Sequence, residues 1–115
     1  MKIREIIDIL DAEVLTGELY LEREIKEFAV SDLLSDVLAL SKDCFLLLTG
    51  LTTQQVVRTA EIAGGIGAVF VRGKTPEPGA IGIARSHHIP LLMTSMSTFE
   101  ACQAIIETIN KKEKK

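Results

Sequence analysis

The sequence has no tryptophan, one tyrosine and four phenylalanines, too few rings to stack successive bases of a single-stranded nucleic acid. Positive charge is short as well. Thirteen Lys and Arg stand against sixteen Asp and Glu, and without residues 111–115 the balance is 9 basic to 15 acidic. Such a body repels a phosphate backbone, which excludes nucleic acid as a partner. Only two cysteines occur, Cys44 and Cys102; they are far apart and form no CxxC pair, so neither a disulfide framework nor a zinc knuckle is expected. Apolar runs such as Cys44-Phe45-Leu46-Leu47-Leu48 fall far short of the roughly 20 residues that span a bilayer. Met1 is followed by alternating charged and apolar residues rather than a signal-peptide core. These absences imply a cytoplasmic protein with reduced thiols and no membrane partner.

What is present is enough for one hydrophobic core: 115 residues, 47% hydrophobic and 25% charged. Ile3, Ile6, Ile7 and Leu10 recur at the spacing of one helical face. Residues 13–16 read as a strand, with a turn at Gly17 and a second extended piece carrying Leu19 and Leu21. Glu27-Phe28-Ala29-Val30 reads as a strand, and Ser31-Asp32 stands where a cap belongs before a helix carrying Leu33, Leu34, Val37, Leu38 and Leu40. From residue 44 onward, apolar run, glycine-containing loop and helix-period stretch alternate. That rhythm predicts strands at 45–48, 68–71 and 89–93 and helices at 53–63, 78–86 and 98–109, a βαβ pattern. The fold class expected is three-layer α/β with a mostly parallel sheet of four or five strands. Residues 1–110 form a single domain in this reading, followed by a charged tail, 111–115, whose lysines suit the negative end of the last helix.

The chain also matches itself at an offset of 45 residues: Leu46-Leu47-Leu48-Thr49-Gly50-Leu51-Thr52-Thr53-Gln54-Gln55 against Leu91-Leu92-Met93-Thr94-Ser95-Met96-Ser97-Thr98-Phe99-Glu100. Each copy contains the S/T-x-x-E/Q spacing of a capping box, Thr52 with Gln55 and Ser97 with Glu100. Leu51 and Val56 add a hydrophobic staple. Two readings stand side by side. In one, Thr49, Gly50, Thr52, Thr53, Thr94, Ser97 and Thr98 lie at the carboxyl ends of parallel strands and bind a phosphorylated anion with help from helix N-termini. In the other, the hydroxyls only cap helices.

Other motifs carry less. Gly67-Ala68-Val69-Phe70-Val71-Arg72-Gly73-Lys74-Thr75 has five residues between its glycines where a P-loop has four, and its interior is itself a strand. Gly64-Gly65 is a helix stop. His87 and His88 are adjacent and point apart, so they do not chelate one metal. Asp32, Asp36 and Asp43 suit a solvated helix face, and Cys102 sits among apolar neighbours. No catalytic residue, metal site or cofactor is expected.

The order Val30-Ser31-Asp32-Leu33-Leu34-Ser35-Asp36-Val37-Leu38, Leu47-Leu48-Thr49-Gly50, Ala63-Gly64-Gly65-Ile66-Gly67-Ala68, Ile89-Pro90-Leu91-Leu92 and Ser97-Thr98-Phe99-Glu100 resembles a stand-alone DRTGG domain over nearly the whole chain. Such domains accompany CBS pairs in a class of inorganic pyrophosphatases, occur in phosphate acetyltransferases, and are similar to the amino-terminal domain of HPr kinase. The resemblance implies a regulatory role and a homodimer; without a P-loop it implies no kinase activity. Where the family has an Asp-Arg pair soon after Thr-Gly, this chain has Leu51-Thr52-Thr53, so only Thr49, Gly50, Thr98 and Phe99 carry over. A mean hydropathy of +0.27 independently implies apolar surface for a second copy. The functions to be separated are a ligand-sensing regulatory module for a nucleotide or other phosphorylated small molecule, a ligand-free dimerisation or adaptor subunit with a protein partner, and an enzyme whose site is assembled across a dimer from Asp32, His87 or His88.

Overall fold

A computed structural model describes residues 1–40 and 42–113. Helix α1 spans Ile3–Leu10 and is followed by β1, Glu13–Thr16. The predicted second extended piece is instead a single 3-10 turn, Glu18–Tyr20. Gly17 enters it with φ of 89°, and Leu19 points into solvent, so no strand partner draws the segment out. Strand β2, Glu27–Val30, leads to the short α2, Leu34–Leu38; β3 is Phe45–Thr49, α3 Gln54–Ala63, β4 Gly65–Phe70, α4 Pro78–Ser86, β5 Leu91–Met93 and α5 Thr98–Glu113.

The five strands form one sheet in the order β1-β5-β4-β3-β2. β2, β3, β4 and β5 are parallel, and β1 runs antiparallel against β5 at the far edge. Strand side chains alternate between faces, and two cores result. Phe45, Leu47, Ala68, Phe70 and Leu91 meet α2, α3 and α4, whereas Leu46, Leu48, Val69, Val71 and Leu92 meet α1 and α5. The interior strand β3 is buried at every position, which is why its sequence reads as a continuous apolar run instead of an alternation. The architecture is the expected three-layer, mostly parallel α/β.

Element ends follow local chemistry. Gly64 closes α3 with φ of 105°, and β4 starts at the next residue, three positions earlier than its apolar run. Pro78 opens α4 at its first turn, where the missing N–H costs nothing. Helix α5 continues past Asn110 through Glu113, and Lys112 pairs with Glu5 of α1. Lys114 and Lys115, the end of the charged segment, lie outside the described residues.

Candidate functional site at the carboxyl edge of the sheet

The carboxyl ends of β2, β3, β4 and β5 bring four loops together. β2 runs on to Ser31 and Asp32. Ser31 Oγ accepts the Leu33 N–H at 3.1 Å, but Asp32 does not cap α2, whose N-cap position is Leu33. Its carboxylate turns instead to the next strand, where Oδ1 accepts the Gly50 N–H at 2.7 Å and the Thr49 hydroxyl at 3.4 Å. From β4 comes Arg72. Its backbone has a φ of 60° and its N–H donates to the Met96 carbonyl at 2.8 Å. Its guanidinium lies 3.9 Å from Asp32 Oδ2 on one side and donates to Thr98 Oγ1 at 3.5 Å on the other. A Cβ on Gly50 would run into that guanidinium, so the absence of a side chain at Gly50 is what lets Arg72 lie across the loop.

The two copies of the repeat make the same local turn. Thr49 Oγ1 accepts the Leu51 N–H at 3.1 Å, and Thr94 Oγ1 accepts the Met96 N–H at 3.2 Å. They differ in the face they present. Leu46 packs on the α1 and α5 side, but its counterpart Leu91 packs on the α2–α4 side. Helices α3 and α5 therefore leave the edge on opposite faces, with Arg72 at the end of the strand between them. Edges at which the flanking helices diverge in this way are where open α/β sheets generally hold ligands.

The predicted site residues separate into two groups. Thr49 and Thr94 are buried and their hydroxyls are committed: Thr49 to Asp32 and Leu51, Thr94 to the Leu10 carbonyl at 2.8 Å and to Met96. They brace the loops. Gly50, Thr52, Ser97 and Thr98 are part-exposed and Thr53 is open to solvent. One of the two capping boxes forms. Ser97 Oγ accepts the Glu100 N–H at 3.1 Å, and Glu100 Oε1 accepts the Ser97 N–H at 3.0 Å; that backbone bond, with the Ser97 hydroxyl, holds the Glu100 carboxyl below its ordinary range. The box predicted for Thr52 and Gln55 does not form, because the N-cap is Thr53, one residue later, and it makes no side-chain cap bond. The first-turn amides of α3 are thus left without a cap, and α5 keeps those its box does not engage.

Sequence reading set Asp32 aside as a helix-face carboxylate and passed over Arg72. A signal existed: Arg72-Gly73 follows the apolar run of β4 directly, a cation at the carboxyl end of a central strand. His87 and His88 take separate partners, Glu61 Oε1 at 2.7 Å and the Tyr20 hydroxyl at 2.9 Å. Both precede β5 at its amino end, so neither joins Asp32 in this chain. Among the described residues no cluster of three His, Cys, Asp or Glu could hold a metal, and no helix is long and apolar enough to cross a membrane.

No protein-family model and no curated protein matches the chain. Its fold is similar to that of a solved structure, the CBS and DRTGG domains of the regulatory region of a Clostridium perfringens pyrophosphatase, complexed with the activator diadenosine tetraphosphate. The TM-score is 0.75 at 17% identity, over 91% of this chain and 46% of that one. The chain thus spans less than half of that regulatory region, and the likeness is one of fold.

Proposed function

We propose that the chain is a non-catalytic regulatory module that senses a nucleotide or other phosphorylated anion at the carboxyl edge of its sheet, with Arg72 as the charged contact. The observation that carries this reading is the position of Arg72 between the two repeat loops, its guanidinium half-exposed at 43% and only loosely tied to Asp32 and Thr98. An incoming phosphate would replace those long contacts with shorter charge-assisted ones. It would also meet the uncapped first turn of α3 and the open amides of α5, both aimed at the same edge. Gly50, Thr52, Thr53, Ser97 and Thr98 line the approach; Thr49 and Thr94 hold the loops in place behind them. The likeness in fold to a pyrophosphatase regulatory region supports a regulatory role, and makes adenosine nucleotides the first probes. Calorimetric titration with AMP, ATP, diadenosine tetraphosphate and inorganic phosphate tests it. At least one should bind, and Arg72→Gln should weaken it by about tenfold or more, the scale of one charge-assisted hydrogen bond. Binding by none of the four, or binding that ignores Arg72→Gln, defeats the reading.

A second reading, a homodimer, has its own support. β2 is an edge strand, and beside it Phe28, Val30, Cys102, Ile106 and Ile109 line an apolar recess of about 200 Å³. Phe99 and Ile106 of α5 are 78% and 56% exposed. Two α5 helices laid antiparallel would place Glu100 of one near Lys111 of the other, so the charge pattern favours a second copy as the cover. Light scattering should give a dimer mass that Ile106→Glu reduces to a monomer; a monomer at all concentrations removes this reading. An adaptor role with a different protein would use the same face.

A further inference from the structure

One anion already stands at the carboxyl edge, and it belongs to the chain itself. Asp32 lies just ahead of α2, where a carboxylate ordinarily caps the helix, yet the N-cap of α2 is Leu33 and makes no side-chain bond. The carboxylate reaches instead to the loop after β3. Its Oδ1 accepts the Gly50 N–H at 2.7 Å, and its Oδ2 faces the Arg72 guanidinium at 3.9 Å. Both groups crowd the same space over Gly50, since a Cβ there would run into the guanidinium and lie 3.4 Å from Asp32 Oδ1. A backbone N–H and an arginine converging on one oxyanion is the donor set a phosphate uses. Asp32 holds it first.

The hold is loose. The Asp32 and Arg72 side chains are 55% and 43% exposed, and an exposed pair at this distance contributes little to stability, so the carboxylate can swing aside without unfolding its surroundings. Its charge still matters to an arriving anion. Two unit charges about 4 Å apart feel each other by the equivalent of about fivefold in affinity even at the dielectric of water.

We propose that Asp32 is an internal competitor of the ligand: in the free chain its carboxylate occupies the Gly50 amide and faces Arg72, and a phosphorylated anion binds by displacing it. This rests on the sensor reading above and adds what sets the sensor's threshold. The apparent affinity is the intrinsic one reduced by the share of molecules in which Asp32 has withdrawn, so the module responds at a higher ligand concentration than Arg72 alone would require. A role in bracing Arg72 for the ligand would make the opposite prediction.

Calorimetric titration of the parent, Asp32→Asn and Glu18→Gln with the same four anions tests it. Asn keeps the size and an oxygen for the Gly50 N–H but drops the charge. Glu18, exposed on the turn after β1, lies towards the amino end of the parallel strands, since Thr16 pairs with Leu91, the first residue of β5; its variant reports the loss of one negative charge elsewhere. Asp32→Asn should tighten binding by about fivefold or more at low salt, a gain that shrinks as salt rises, and Glu18→Gln should leave it nearly unchanged. The proposal is overturned, with the sensor reading intact, if the parent binds and Asp32→Asn binds equally or more weakly, or if Glu18→Gln tightens binding as much. If the parent binds none of the four, the sensor reading fails and this proposal with it.

Discussion

Thr94 occupies one of the most constrained positions in the chain. Its hydroxyl donates to the Leu10 carbonyl and accepts from the Met96 amide, so a single side chain ties α1 to the β5–α5 loop. Thr94→Val would keep the volume and leave both partners short of a bond. The expected loss is about 1–3 kcal/mol, the range for an unsatisfied buried group, read from the urea midpoint. Unchanged stability would contradict a bracing role. The placement of Arg72 depends on Gly50 in another way, since the guanidinium occupies the space a Cβ would take. Thr49 and Thr94 were legible in the sequence as special positions, because hydroxyls at the ends of apolar runs stand out. Their division of labour was not: whether a hydroxyl faces inward or outward depends on which face of the sheet its strand register assigns it. Arg72 escaped notice for a similar reason, since nothing local says that Asp32, forty residues earlier in the sequence, will stand across from it.

Helix boundaries came through the sequence well where caps and glycines mark them, as at Pro78 and Gly64, and poorly where a short segment lacks partners, as at Leu19. The repeat predicted two capping boxes, but only Ser97 and Glu100 close one. Ser97→Ala should therefore cost about 1 kcal/mol, the usual worth of an N-cap, while Thr52→Ala should leave stability within about 0.5 kcal/mol, as for a surface change. Denaturant titration of the two variants compares them directly, and equal losses would contradict the cap assignment. The contact between α1 and α5 predicts a pH dependence. Bonds from Lys112 and the Lys2 N–H hold the Glu5 carboxyl down to about 2, below its ordinary 4.5. Because the folded form releases this proton more readily, the contribution is complete above about pH 4.5 and disappears as pH falls toward 2. Glu22, bonded by Arg4, shifts in the same direction. Lys112→Ala should flatten part of the acid limb of a stability-against-pH curve while leaving the neutral-to-basic limb parallel to the parent; an identical acid limb would show that the pair contributes nothing.

At the scale of the molecule, the parallel sheet and its three layers were written in the alternation of apolar runs and helix-period stretches, whereas the division of the interior into two cores, one on each face, was not. Nor was the divergence of α3 and α5. It arises because the sheet brings Leu91 into register with Ala68 and Leu47, one residue out of step with the repeat, so that Leu46 and Leu91 face opposite sides. That geometry places an arginine between the loops that lead into α3 and α5, and the sensor reading rests on it. The most direct test is a thermal-shift titration of the parent chain and Arg72→Gln with the same four anions used for calorimetry. A bound anion at 100 times its dissociation constant should add about 2.7 kcal/mol, several degrees in Tm for a chain of this size, and Arg72→Gln, at tenfold weaker binding, should remove about half of that rise or more. A flat response in the parent, or an equal rise in both, would contradict the account.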